Sequence, residues 1–301
     1  MKLTVLLSTF NGERYLREQL DSLLSQTVRA TEIFVRDDGS TDGTVSILKD
    51  YAQRDALHWC EGENIGPGRS FWRLLSACGE ADYCAFCDQD DVWDEDKLET
   101  AVDALKRLNP ELPALYCSDV RVTDEKRNLL AQHMIRACTP DYPHALIRNL
   151  APGCTFVLNR SALDLLRHYD AEAQGIELHD WTAYQIISCF GTVVLDQKPH
   201  MDYRQHANNA VGASKAALSA YGEKAYSFLF GRMKNSRQRQ ALRLECAFNN
   251  RMSMENRELT ALMAHYMDNR KMKQALIRLL KERTGGAEGD FAGLLALINR
   301  L

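Results

Sequence analysis

The stretch CAFCDQDDVWDEDKL, Cys84 to Leu98, sets aspartates at positions 88, 90, 91, 94 and 96 directly behind a short apolar run. Carboxylates this close repel one another, and each prefers bulk water. Two readings compete. Either the stretch is a solvated loop entering a helix, with Asp91 or Asp94 as its cap, or a cation sits there. Asp88 and Asp90, two apart at a strand end, suit Mg²⁺ or Mn²⁺. Such hard ions take few protein carboxylates and complete their shell with phosphate oxygens and water. One of the pair could instead reach a ribose hydroxyl. No His/Cys set of zinc spacing lies nearby. For Asp94 and Asp96 the helix-start reading is the simpler one.

A second acidic group follows another apolar run, in VRDDGSTDGTVSIL. Asp-Gly-Ser-Thr-Asp-Gly is good turn chemistry, and Thr41 or Asp42 could cap the next helix. Turn chemistry does not require Asp37 and Asp38 straight after the run, however. A carboxylate there can accept from a nucleobase N–H or a ribose hydroxyl. The segment lacks the phosphate-loop pattern, and its charge would repel phosphate. No G-x-G-x-x-G follows the first strand, so it is not a dinucleotide fingerprint.

These groups need a scaffold, and the chain supplies an alternating one. LTVLLST, EIFVRDD, LHWC, YCAFC and ALYCSDV read as strands. Between them lie helical spacings: Leu16, Leu20, Leu23 and Leu24; Val45, Leu48 and Ala52; Phe71, Leu74, Leu75 and Cys78; Leu98, Val102, Leu105 and Leu108. Strand–helix alternation predicts an α/β fold with a mainly parallel sheet flanked by helices. Ligands bind such sheets at the carboxyl ends of the strands. Ser8 to Asn11, Asp37–Asp38 and Asp88 to Asp91 all fall on that rim. After Asn109 the pattern is mixed, with TFVLNR, TVVLD and MDYRQH as strands and Ser161–His168 as a helix. Beyond Gly212 it is mostly helical.

The 301 residues, 45% hydrophobic and 26% charged, are enough for one large domain or a domain with an appendage. The net charge of -4 is split. Lys215 to Leu301 holds 16 Lys+Arg against 8 Asp+Glu, and the rest holds 21 against 33. We therefore expect two regions, residues 1–212 and a basic helical region over 213–301. An acidic first region argues against nucleic acid as partner. The nine Cys form no framework, which fits free thiols in a reducing cytoplasm. The first residues read as a strand rather than a secretion signal, and no run approaches a membrane span.

Taken together, LLSTFNGERYLREQLDSLLSQT, IFVRDDGSTDGT, NIGPGRSF and FCDQDDVWDEDKL resemble glycosyltransferase family 2, the inverting transferases of GT-A fold, over about Lys2 to Gly212. CDQDDVW with GCTFVLNR, HDW and YRQHANNAVG is most similar to its rhamnosyltransferase-like branch. The resemblance implies a nucleotide-sugar donor, dTDP-rhamnose favoured over a UDP-hexose or UDP-N-acetylhexosamine. The implied acceptor is a surface glycan, usually still lipid-linked. It also implies roles. Ser8, Phe10 and Asp38 would hold the nucleoside, and Arg69 would meet the base or the diphosphate. Asp88 and Asp90 would form the D-x-D that holds Mn²⁺ or Mg²⁺, Asp90 most directly, while Asp91 has no assigned task. Asp180, in LHDWTAY, would be the base that deprotonates the acceptor, or a helix N-cap, or both. His179 replaces the acid usual beside it and either meets the acceptor or only packs. Trp181 belongs to the same acceptor side. Arg204 would bind the diphosphate and His206 the metal or diphosphate. Gly153, Cys154 and Thr155 would form the acceptor floor, with Cys154 inert. In the basic region, Tyr226, Phe228, Leu229 and Phe230 are followed closely by Arg232, Lys234, Arg237 and Arg239. That mixture suits an anionic membrane surface, or else packing on the catalytic domain or on a second copy. A fold that has lost turnover and only docks partners is the non-enzymatic alternative.

Overall fold

Leu3, Val5 and Leu7 alternate with Thr4 and Leu6 along β1 (Leu3–Thr9), and all five are buried. A strand covered on both faces must be central, and helices must supply the cover. The computed structural model describes residues 1–135, 139–206 and 235–297. In chain order the first elements are α1 (Leu16–Leu24), β2 (Glu32–Asp37), α2 (Thr44–Ala52), β3 (His58–Glu61), α3 (Pro67–Ala77), β4 (Tyr83–Cys87), β5 (Val92–Trp93) and α4 (Lys97–Lys106). Next come β6 (Ala114–Ser118), β7 (Arg121–Thr123), β8 (Leu129–Ala131), α5 (Tyr142–Ile147), β9 (Val157–Asn159), α6 (Arg160–Arg167) and α7 (Ala171–Gln174). Then follow α8 (His179–Phe190), β10 (Thr192–Asp196), β11 (Met201–Arg204), α9 (Ser236–Phe248), α10 (Met254–His265), α11 (Arg270–Thr284) and α12 (Gly286–Leu297).

The main sheet runs β10-β6-β9-β4-β1-β2-β3 and is parallel except for β9, which is antiparallel to both neighbours. The expected mainly parallel α/β sheet is therefore present. Leu3, Val5 and Leu7 pack on one side with Leu16, Leu20 and Leu23 of α1 and Leu98 of α4. Leu6 packs on the other with Phe71 and Leu75 of α3 and Ile186 of α8. The second layer also takes in Leu244, Phe248, Met263 and Leu276 from the C-terminal helices, so these helices share a core with the sheet. Among the described residues no helix is long and apolar enough to cross a membrane.

A four-stranded sheet, β5-β11-β7-β8, stands beside the first. MDYRQH thus supplies a strand, but outside the main sheet. β5 lies inside the acidic motif itself, where sequence suggested only a loop. Asp94 and Asp96 do stand at the start of α4, Asp96 as its N-cap residue, but the Asp96 side chain makes no capping hydrogen bond. Asp94 takes two bonds from Arg121, at 2.6 and 2.8 Å, and Asp96 meets His200 Nδ1 at 3.1 Å.

Candidate active site

Two strand registers assemble the site. β4 and β9 pair antiparallel with Ala85 opposite Val157. Just before β9 the chain makes a 3₁₀ turn, Gly153–Thr155, which sets Cys154 beside Asp88 at the end of β4. β5 and β11 pair antiparallel with Val92 opposite Asp202, which continues to Arg204 against Asp90. The side chains obey both. Asp88, Asp91 and Cys154 each bring one ligand atom to within 4.8 Å of the others. Arg204 donates its backbone N–H to Asp91 Oδ1 at 3.1 Å and its Nε to the Asp90 carbonyl at 2.8 Å.

Burial and repulsion set the charges. Burial, and then the charges of Asp90 and Asp180, push the Asp88 carboxyl up to about 7. Asp91 is raised well above the usual carboxylate range by burial and then by Asp90 and Asp88. Its Oδ2 is buried without a hydrogen-bond partner. Burial, with Asp91 and Asp88 next, also holds the Cys154 thiol well up, which keeps it an S–H. An orphan carboxylate oxygen beside a second carboxylate fits a hard divalent cation. A protonated thiol is a poor ligand for such an ion. Asp88 and Asp91 are therefore the residues whose chemistry fits Mn²⁺ or Mg²⁺. Asp90 lies with its Oδ2 2.7 Å from His206 Nε2, and His206 stacks on Tyr15 with ring centroids 4.8 Å apart.

Arg204, expected to face the diphosphate, is a buried brace, 3% exposed. Its guanidinium meets the Asp90 and Glu125 carbonyls and the Glu18 carboxylate, and lies 4.6 Å from the Tyr15 ring centroid. Asp38 is likewise turned inward. Arg36 pairs with it, and the Ile65 and Gly66 N–H groups donate to its Oδ2 at 3.1 and 2.9 Å. Asp37 beside it accepts from Thr9 Oγ1 at 2.8 Å and holds the Ser40 turn. These carboxylates shape the rim from behind. Phe10 is exposed on that rim, and Ser8 Oγ is 2.6 Å from Ser70 Oγ. Arg69, in the first turn of α3, is exposed.

Asp180 occupies the first turn of α8. Its Oδ1 accepts from Trp181 N at 2.7 Å and its Oδ2 from Gly153 N at 3.2 Å. These backbone donors orient the carboxylate without occupying all its lone pairs. His179 stacks on Phe71 with centroids 4.0 Å apart, and burial lowers its pKa. It packs. Trp181 is 2% exposed and donates Nε1 to the Ala145 carbonyl at 2.7 Å, so it faces the core rather than the acceptor side. Thr155 is also buried, its hydroxyl bonded to the Pro152 carbonyl at 2.8 Å. Of the expected floor, Gly153 is hydrogen-bonded to Asp180 through its backbone N–H.

In the basic region, Arg237 donates Nε to the Ile147 carbonyl and lies over Trp181, and Arg239 pairs with Glu177. These two charges serve internal packing. Tyr226, Phe228, Leu229, Phe230, Arg232 and Lys234 lie outside the described residues.

Three participants escaped the sequence reading. Gln89 grips Phe10 at both ends of its backbone, accepting from N at 2.9 Å and donating to O at 3.0 Å. Tyr15 underlies both His206 and Arg204. Lys97 is fully buried behind the acidic cluster, where burial lowers its ammonium to about 8. It opens α4, and a cation at a helix N-terminus opposes the macrodipole. That breach was a readable signal.

Residues 4–164 match the profile of Glycosyl transferase family 2. The chain belongs to glycosyl transferase family 2. A dTDP-rhamnosyl transferase of Shigella flexneri, RfbG, is 32% identical over 228 residues, covering 71% of this chain and 76% of the relative. An uncharacterized glycosyltransferase of Rickettsia prowazekii is 24% identical over 240 residues, 75% of this chain and 71% of the relative. S. aureus TarS 1-349, in complex with UDP-GlcNAc, superposes with a TM-score of 0.55 at 16% identity, over 100% of this chain and 93% of that one. This last likeness concerns the fold, and the sheet and its flanking helices are those of the GT-A glycosyltransferases.

Proposed function

We propose that this glycosyltransferase moves rhamnose from dTDP-rhamnose to a glycan acceptor, lipid-linked during assembly, inverting the anomeric centre and using Mn²⁺ or Mg²⁺. The observation that carries the chemistry is that two backbone donors aim the Asp180 carboxylate, one of them Gly153 N–H, and that Gly153 directly precedes Cys154, whose thiol lies within 4.8 Å of Asp88 and Asp91. A base and a cation-binding carboxylate then face one substrate from two elements. The likeness to the S. flexneri dTDP-rhamnosyl transferase supports the donor.

In this reading Phe10 and Ser8 border the nucleoside, and Arg69 stands at the entrance. Asp88 and Asp91 hold the cation, which when bound would offset the charge of the leaving diphosphate. Asp180 takes the proton of the acceptor hydroxyl as that oxygen bonds to the anomeric carbon. The bond from that carbon to the dTDP oxygen breaks on the opposite face, and dTDP leaves as the anion. A lipid-linked acceptor would bring the enzyme to the inner face of the cell membrane.

Calorimetric titration with dTDP, UDP and GDP, with and without Mn²⁺, tests the donor. We expect dTDP to bind best and only with metal. If UDP wins, the rhamnosyl reading falls. Metal-independent dTDP binding would remove the cation from the reading. Asp180→Asn should keep dTDP binding and lower turnover about 10³-fold. Near-normal transfer by that variant would remove Asp180 as the base.

A further inference from the structure

β8, the edge strand of the small sheet, is apolar and bare. Leu129 and Leu130 are 56% and 54% exposed, and Met134 just beyond is 42% exposed. Every residue from Lys126 to Met134 is exposed. Of the eleven large exposed apolar side chains among the described residues, these three alone fall within six positions of one another. A lone exposed Leu needs no explanation, but a cluster does. An apolar edge strand also invites aggregation, and chains usually protect one with charge or cover. The β7–β8 hairpin is nonetheless firmly built. Asp124 accepts from the N–H groups of Lys126 and Asn128 at 2.9 Å each and so shapes the tip. Buried Asp119 accepts from the N–H groups of Met134 and Ile135 at 2.9 Å each and so fixes the base. The Glu125 carbonyl accepts from Arg204, whose Nε reaches the Asp90 carbonyl, which ties the tip to the rim of the candidate site.

The geometry of β8 selects its occupant. Leu129 stands across from Thr123 and Ala131 across from Val122, so Leu130 is the extra residue of a β-bulge. Thr123 and Val122 face opposite ways along β7, and their partners on β8 do the same. Apolar groups are therefore open on both faces of the strand. A protein partner packed on the sheet would cover one face. A further strand, from a second copy or a peptide, would need the ladder that the bulge disrupts. A fluid apolar medium meets both faces at once. The charges agree. Glu125 pairs with Arg14 and Arg127 with Asp202, and Lys126 at the tip has no carboxylate partner among the described residues. An uncommitted cation beside exposed leucines suits the boundary of an anionic membrane. We propose that this hairpin, Lys126 to Met134, seats the protein on a lipid surface, with Leu129 and Leu130 entering the boundary between headgroups and acyl chains and Lys126 meeting an anionic headgroup. Its use in transfer rests on the lipid-linked acceptor proposed above, since a seated hairpin holds the Asp90 rim beside the membrane that carries such an acceptor. Its affinity for lipid does not depend on that reading.

Sedimentation of the full chain with vesicles tests this, using phosphatidylcholine alone and phosphatidylcholine mixed with phosphatidylglycerol. We expect Leu129→Ser with Leu130→Ser to weaken partitioning at least about tenfold on both. The double variant should keep its Tm and its dTDP affinity, because both side chains are exposed. Lys126→Gln should weaken binding about fivefold on the anionic vesicles alone. Leu130→Trp should add fluorescence, over that of the four native Trp, that shifts to the blue on vesicles and is quenched by brominated acyl chains. That variant locates the hairpin even if the double variant folds poorly. If wild type binds neither vesicle, or if the folded double variant binds as wild type does, the proposal is overturned. A wild-type dimer that the double variant turns into a monomer, measured by light scattering, makes the occupant a second copy and overturns it too. Leucine-dependent vesicle binding supports the lipid seat even where calorimetry favours UDP over dTDP, a result that would remove only the rhamnosyl reading.

Discussion

Gly153 donates its backbone N–H to the carboxylate of Asp180, 3.2 Å away, across the seam between the turn before β9 and the start of α8. The approach is possible because position 153 has no side chain. A Cβ there would stand 2.9 Å from Asp180 Cβ and press on the His179 ring. Gly153→Ala must therefore shift the proposed base. A displacement near 1 Å at a reacting group costs on the order of 10²-fold in rate. We expect kcat to fall by about that much while dTDP affinity changes little, because the nucleoside side of the rim is untouched. Steady-state kinetics beside calorimetry separates the two. Equal loss of both would place Gly153 in donor binding.

Gln89 holds Phe10 by two hydrogen bonds that only an amide can make together. Gln89→Glu keeps an acceptor for Phe10 N–H but sets a carboxylate oxygen against the Phe10 carbonyl. The rim should loosen where the nucleoside is proposed to sit. We expect about tenfold weaker dTDP binding, the loss of roughly one hydrogen bond with repulsion added, and little change in Tm. Unchanged dTDP affinity would remove Phe10 from the donor site.

The strands and helices that carry the rim were legible because their apolar periods are clear. LTVLLST and YCAFC are strands over the expected residues. Asp180 was named by resemblance, but its alternative as a helix N-cap is not met, because Leu178 is the N-cap of α8 and Asp180 is the second residue inside the helix. Partnerships were not legible. Asp38 and Arg204 look like open ligand groups in sequence, yet Arg36, Glu18 and backbone atoms claim them. Such pairings depend on registers between distant strands, as the β5–β11 ladder shows, and a linear pattern does not encode register. Asp91 drew no role from its type. Its importance comes from burial beside Asp88, which is a tertiary property.

Arg237 links the C-terminal helices to the proposed base. Its Nε donates to the Ile147 carbonyl, its guanidinium lies 5.6 Å from the Trp181 ring centroid, and Trp181 follows Asp180 directly. Arg237→Met fills similar volume but removes the donor. A buried carbonyl then loses its partner, which costs on the order of 1–3 kcal/mol. Since burial already pulls Arg237 down to about 10, removing the charge recovers part of that. We expect a net destabilisation of about 1–2 kcal/mol in urea unfolding. Arg237→Ala, which also opens a cavity, should lose more. Wild-type stability in both variants would show that α9 does not brace α8.

His179 makes stability depend on pH in a defined direction. Burial lowers its pKa below the ordinary 6.5, with the nearby Asp180 charge opposing in part. The unfolded chain therefore takes up a proton at a higher pH than the folded one does. Between the two pKa values the unfolded state binds more protons, so stability rises with pH. The contribution of His179 is full above about 6.5 and is lost as pH falls below it. His179→Phe keeps a ring against Phe71 and cannot titrate. Its stability should fall less than that of wild type between pH 7 and pH 5, measured by urea unfolding at fixed ionic strength. The difference between the two curves belongs to this residue, since other titrating groups are common to both. Parallel curves would mean that His179 is as readily protonated in the folded chain as in the unfolded one, against the burial that Phe71 and Phe86 give it.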